Sequence, residues 1–210
     1  MMWLVYDQLW AAPAGVQMKK TFISSLRLLA RLAREPLAKD QRIAIERTYS
    51  LRETIDANFD RVRALGDSVL FEFGPSRQQD LAVRDRIRRW QPQLRLLFLT
   101  RIALLKYRLG RPGFELPEAV RIAQQAFDDE LAKALDGMAD RMEGKAHGVR
   151  ENVAPGFTPV LLEVSLKRLE QTTLTCCPDL PEEALEAPLQ SFLPLSRRIE
   201  GLTSTLDQGI

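Results

Sequence analysis

Apolar positions recur at spacings of three and four along most of the chain, and this period decides the fold class before any other property is considered. Between Gln17 and Arg34, Phe22, Leu26, Leu29 and Ala33 share one face with basic residues between them, so the spacing predicts an amphipathic helix ending before Pro36. Asp40 is a candidate N-cap for a second helix, which carries Ile55, Phe59, Val62, Val69 and Phe73 on one face. Gly66 falls on or near that face. A close crossing of another helix would explain a residue there that costs up to about 1 kcal/mol in helix propensity. The helix stops at Gly74-Pro75, because glycine accepts a left-handed terminal residue and proline cannot extend the hydrogen-bonded ladder.

Ser76-Arg77-Gln78-Gln79 then reads as a capping box that opens a central helix, which makes the Gly74-Pro75 turn the tip of a tight antiparallel hairpin. Val83, Ile87, Trp90, Leu94, Leu97, Arg101 and Leu105 step along one face of this helix. The stripe passes through Pro92, so a kink near Arg88 to Trp90 is expected and not a break. From Leu94 to Leu105 the helix is apolar nearly all round, as suits the central member of a bundle. With Arg95 and Arg101 inside it, this run is too short and too charged to cross a bilayer.

Gly110-Arg111-Pro112-Gly113 ends the central helix, and Pro117 is placed as the first residue of another. Val120, Phe127, Leu131, Leu135, Met138 and Met142 form its apolar stripe, while Asp128, Asp129, Glu130, Asp136 and Asp140 make it acidic. Glu143 to Gly156 is glycine-rich and poor in hydrophobic residues, which marks a flexible connection. Thr158-Pro159 resembles an N-cap followed by a first-turn proline, and a helix continues to Leu174. A turn over Cys176 to Pro181 precedes a last helix, broken or kinked near Pro188 and Pro194, that carries Leu185, Leu189, Phe192, Leu195, Ile199 and Leu202.

No stretch alternates in the manner a sheet requires, so the pattern predicts an all-α antiparallel bundle of five to seven helices around the Gly74-Pro75 hairpin. The expected organisation is a membrane-proximal segment over 1–16, a core bundle over 17–145, a flexible linker over 146–157, and C-terminal helices over 158–210 that pack on the bundle.

Composition narrows the function classes. The chain has 210 residues, enough for one ordinary domain, and a formal net charge of +2, too near balance to imply a nucleic-acid partner. Its 2 cysteines, Cys176 and Cys177, are adjacent, so no disulfide framework is expected. His147 is the 1 histidine, which leaves little for zinc ligation or acid–base work. Phosphate-cradling glycine loops, nucleophile elbows and helical metal motifs do not occur, so no catalytic residue, cofactor or metal is assigned. Asp128, Asp129 and Glu130 are consecutive and point in different directions from a helix, as expected of a solvated acidic surface.

Two groups of residues remain as candidates. Arg84, Arg88 and Arg95 lie near one face of the central helix and Arg101 shares its apolar stripe; guanidinium groups suit carboxylates and phosphates alike. They either pair with the acidic helix inside the fold or receive an anionic ligand or lipid head group. Nucleic acid is excluded, since the adjoining leucine-rich run offers no stacking platform. At the other end of the sequence, Trp3 and Trp10 precede Lys19 and Lys20, the order found where a chain leaves a bilayer on its cytoplasmic side. An N-terminal helix with its aromatics in the core fits the same residues.

From Glu46 to Glu118 the sequence resembles the soluble cytoplasmic region of bacterial fusaric-acid-resistance-like inner-membrane proteins, which are related to aromatic acid exporters. The residues that carry the likeness are Phe71-Glu72-Phe73-Gly74-Pro75-Ser76-Arg77 and Arg89-Trp90-Gln91-Pro92-Gln93. Met2-Trp3-Leu4-Val5-Tyr6-Asp7-Gln8-Leu9-Trp10 also looks like the end of such a protein's final membrane helix, and together these segments cover roughly the first 145 residues. The resemblance implies a non-enzymatic helical domain on the cytoplasmic face of the inner membrane, with an assembly or regulatory role in efflux. Its partners would be the membrane portion of an efflux protein, a lipid surface, or copies of itself. The chain departs from the family in carrying no membrane span, so transport by this chain alone is not implied. The alternative is a stand-alone helical module that binds an anionic aromatic compound or regulates another protein.

Overall fold

Pro13 sets the first boundary. Its fixed φ is compatible with a helix start, and its carbonyl accepts the first turn's hydrogen bond from Gln17 N at 3.0 Å. In the computed structural model, which describes residues 12–35, 41–109, 117–144, 157–176 and 182–210, this helix, α1, runs over Ala14–Arg34. It is followed by α2 (Gln41–Ser68), a short 3-10 turn (Val69–Phe71), α3 (Arg77–Leu109), α4 (Glu118–Glu143), α5 (Phe157–Cys176) and α6 (Glu182–Gly209). No strand occurs among the described residues, so the architecture is the all-α bundle that the apolar period predicts.

Helix α1 is the shared element, because α2, α3 and α4 all pack against it. Cross-helix neighbours fix the directions. Arg47 pairs with Glu35 at 3.3 Å and Asn58 bonds Ser24 at 3.4 Å, so α2 runs antiparallel to α1. Gly15 lies against Asp80, the Phe22 and Trp90 rings approach to 6.3 Å, and Arg101 reaches Ala33, so α3 runs parallel to α1. Arg34 meets Asp136 at 2.7 Å and Arg27 meets Asp140 at 3.0 Å, which makes α4 antiparallel. Helices α5 and α6 complete the molecule by packing on α4 and on α3.

One continuous core joins the helices. Phe22, Leu26 and Leu29 of α1 are buried with Ile55, Phe59 and Val62 of α2, with Ile87, Leu94 and Leu97 of α3, and with Phe127, Leu131 and Met138 of α4. The Phe59 and Phe98 rings tilt across the α2–α3 crossing at 5.8 Å. Gly66 faces α1 as its spacing predicts: Met18 Cε stands 3.2 Å from where a Cβ would be. At the far end of α4, Gly144 adopts φ 75° and its N–H caps the carbonyls of Arg141 and Asp140, which glycine allows without strain.

Several expectations are corrected. Phe73 does not continue the α2 stripe, because α2 ends at Ser68 and the chain tightens into the 3-10 turn before Gly74, whose φ is 142°. Ser76 and Gln79 are both exposed and exchange no side-chain hydrogen bond; α3 begins instead with Asp80 N donating to Ser76 O at 2.9 Å. Helix α1 begins at Ala14, three residues before the Gln17 start expected from the spacing, and Pro117 precedes α4 as its N-cap residue. Helix α6 is not broken at Pro188 or Pro194 but runs through both. Leu96 and Leu99 of α3 face outward, so the central helix is enclosed on fewer sides than its composition indicates. Asp40, most of the 146–157 linker, His147, Cys177, Trp3 and Trp10 lie outside the described residues.

Candidate functional site

Among the described residues, one deeply buried ion pair joins the two helices that the charge pattern had opposed. The period of α3 places Arg101 on its apolar stripe, where it is 1% exposed, and the period of α4 turns Asp128 inward at 7% exposure. The Arg101 guanidinium donates from Nη1 to Asp128 Oδ1 at 2.5 Å and from Nη2 to Oδ2 at 3.0 Å, a bidentate fork. Nη2 also donates to the Ala33 carbonyl at 3.0 Å, one of the last-turn oxygens of α1 that lack a helical partner. Gln124, one turn before Asp128, donates Nε2 to the same carboxylate at 3.0 Å. The arrangement neutralises a buried cation, ties three helices together, and leaves neither charge facing solvent.

Asp128 therefore departs from the solvated acidic surface expected of it. Local sequence could not reveal this, since its partner lies 27 residues away. The remaining carboxylates of α4 pair mainly with α1, not with the arginine-rich helix. Asp140 and Glu143 share Arg27, Asp136 meets Arg34, and Arg141 of the same helix pairs with Asp207 of α6.

The candidate arginines thus divide. Arg101 is enclosed by Asp128. Arg84 is also buried, donating Nε to the Gly66 carbonyl at 2.7 Å and meeting Asp85 at 2.9 Å, which ties α3 to the last turns of α2. Arg88 and Arg95 are exposed and form no ion pair with a described residue. Lys19 is half-buried and Lys20 exposed on α1, also without an ion pair among the described residues. Trp90 is packed between Phe22 and the close approach of Gly209, whose Cβ would stand 2.8 Å from the indole nitrogen. Cys176 is a free, half-buried thiol.

A second polar assembly escapes every local pattern. Helix α1 has no side-chain cap of its own, and Glu72, from the hairpin, supplies one: its Oε1 accepts from Ala14 N at 2.5 Å. Asp80, 5% exposed, lies against Gly15 in the same first turn. Two carboxylates therefore stand at the positive end of the α1 dipole. The backbone is extended at Glu72, with φ −74° and ψ 139°, between Phe71 at the end of the 3-10 turn and Phe73. These two phenylalanines are 77% and 89% exposed.

Among the described residues no group of three or more histidine, cysteine or acidic side chains could hold a metal ion, and no helix is long and apolar enough to cross a membrane. Comparison of the chain with protein-family models, with curated proteins and with solved structures returned no match.

Proposed function

We propose that the bundle is a non-enzymatic helical domain of a bacterial efflux protein of the fusaric-acid-resistance-like kind, placed at the cytoplasmic face of the inner membrane with an assembly or regulatory role. The observation that supports this reading is the exposed aromatic pair, Phe71 and Phe73, on either side of the Glu72 that caps the first turn of α1. In the sequence α1 follows residues 2–10, which resemble the end of a membrane helix. The charged groups that meet inside the bundle, Arg101 with Asp128 and Glu72 with the α1 N-terminus, neutralise one another and serve architecture. That also weighs against the alternative of a pocket for an anionic aromatic compound, because such a pocket would need Arg101 free.

The test is co-production of the chain with the membrane portion of an exporter of this kind, followed by detergent purification of that portion and measurement of aromatic carboxylate export. The expected result is co-purification and export that rises when the bundle is present. A chain that stays apart from the membrane portion and leaves export unchanged overturns the reading.

A further inference from the structure

Among the described residues, the Leu70 to Arg77 turn carries the two most exposed large apolar side chains, Phe71 and Phe73. Leu70, Phe71 and Phe73 are exposed, and Gly74, Pro75 and Ser76 beyond them are exposed as well. A Cβ added at Gly74 would meet nothing within 4 Å, so the turn stands clear of the rest of the molecule. It is nevertheless held firmly. Val69 is buried, Glu72 N donates to Val69 O at 3.3 Å, Arg77 N donates to Gly74 O at 3.3 Å, and the Glu72 carboxylate is bound to α1. Core demand does not explain two outward phenylalanines on a braced turn.

Area and charge indicate the occupant. An aromatic side chain offers about 150–250 Å², so the two rings with Leu70 amount to on the order of 500 Å², short of the roughly 800 Å² per partner of a stable protein interface. Insertion into a lipid interface needs only a few apolar side chains backed by cations. The cations are present: Arg77 lies over the Phe73 ring at 5.7 Å, and Arg63, Lys19 and Lys20 lie within a few turns of the tip without an ion pair among the described residues. The carboxylates at the tip itself are mostly withdrawn, since Glu72 is bound to Ala14 N and Asp80 is buried at Gly15, which leaves Asp67 exposed there; two to three turns away Asp85, paired with Arg84, and Asp60 are exposed. Glu72 thus holds a negative charge inward while the aromatic residues on either side of it stay exposed.

We propose that Leu70, Phe71 and Phe73 form an interfacial lipid anchor that dips into an anionic membrane surface with Arg77 at the head-group level. The inference deepens the membrane-proximal reading above and rests on it for the choice of face, but it concerns the tip and not efflux.

The experiment is flotation of the full chain with phosphatidylcholine vesicles, with and without phosphatidylglycerol, for wild type, Phe71→Ser/Phe73→Ser and Trp3→Ser/Trp10→Ser. Thermal unfolding of each serves as a folding control; both phenylalanines are exposed, so their loss should leave the unfolding midpoint unchanged. The expected result is wild-type binding that requires phosphatidylglycerol and falls at least about tenfold in the phenylalanine variant. If that variant binds like wild type while the tryptophan variant loses binding, the tip inference is overturned and the membrane-proximal reading stands. Absence of wild-type binding to either vesicle overturns the tip inference too, and the efflux reading is then judged by co-purification with the membrane portion. A wild-type dimer that the phenylalanine variant converts to a monomer without lipid would identify a self-association surface and overturn the anchor.

Discussion

Arg101 and Asp128 face one another across the α3–α4 interface as a bidentate pair, with Arg101 Nη1 2.5 Å from Asp128 Oδ1 and the guanidinium 1% exposed. A buried pair of this sort is weak as a source of net stability, because desolvation offsets most of the Coulomb attraction. Removing one member is another matter. Asp128→Ala leaves the guanidinium buried with only the Ala33 carbonyl, and urea denaturation should show a loss of about 3–5 kcal/mol. Replacing both, as Arg101→Met/Asp128→Leu, should recover most of that loss. A single variant as stable as wild type would mean that the pair is not closed to water in solution.

The contrast between this pair and the helices around it shows what the sequence disclosed. The α3 stripe from Ile87 to Leu105 and the Gly66 crossing were legible because each depends on a short-range period or on one residue's steric properties. Arg101 was visibly on the apolar stripe, yet its partner was one of several carboxylates on α4, and a helix wheel does not rank them. The cap of Ala14 by Glu72 spans 58 residues and has no local signal at all. Phe73 was misplaced for a related reason: the apolar period continued past Ser68 although the backbone had left the helix.

Glycine substitutions separate close packing from propensity. In an exposed helix, alanine gains roughly 0.5–1 kcal/mol over glycine. Gly201 on α6 is exposed and a Cβ there would meet nothing within 4 Å, so Gly201→Ala should raise the unfolding free energy by about that amount. At Gly15 the same change would bring a Cβ to 2.7 Å from Asp80 Cγ and closer still to Oδ1, beside a side chain 5% exposed. Overpacking of this kind costs about 1–3 kcal/mol, enough to exceed the propensity gain. Equal effects at the two positions in calorimetric melts would contradict the packing of Asp80 on α1.

The long-range cap makes a graded prediction. Glu72→Gln keeps an oxygen for Ala14 N but removes the charge at the α1 N-terminus, a loss of about 0.3–1 kcal/mol that added salt should diminish. Glu72→Ala removes the acceptor as well and should cost about 0.5–2 kcal/mol, with little dependence on salt in the additional part. Hydrogen exchange would locate the effect: the amides of the first turn of α1 should lose protection first. Uniform loss across the bundle would show that Glu72 acts otherwise than as a cap.

Glu200 supplies a pH test with a definite sign. Burial beside α5, with the Glu163 carboxylate as a smaller contribution, pushes its carboxyl above the ordinary glutamate value of 4.5. The native state then holds a proton that the unfolded chain has already released, so stability falls as pH rises from the unfolded value through the folded one. Below both values the group is protonated in either state and this unfavourable contribution is absent. Glu200→Gln removes the charged form altogether. Its unfolding midpoint should therefore exceed that of wild type at pH about 7, and the difference should be much smaller by pH about 4, where the Glu200 carboxyl is mostly protonated in both states. Glu163→Gln is the informative control, because it removes the repulsion on Glu200 but also the 2.7 Å pairing of Glu163 with Lys167, whose pKa that bond raises. A gain in Glu200→Gln that was as large at pH about 4 as at neutrality would point to packing and not to charge.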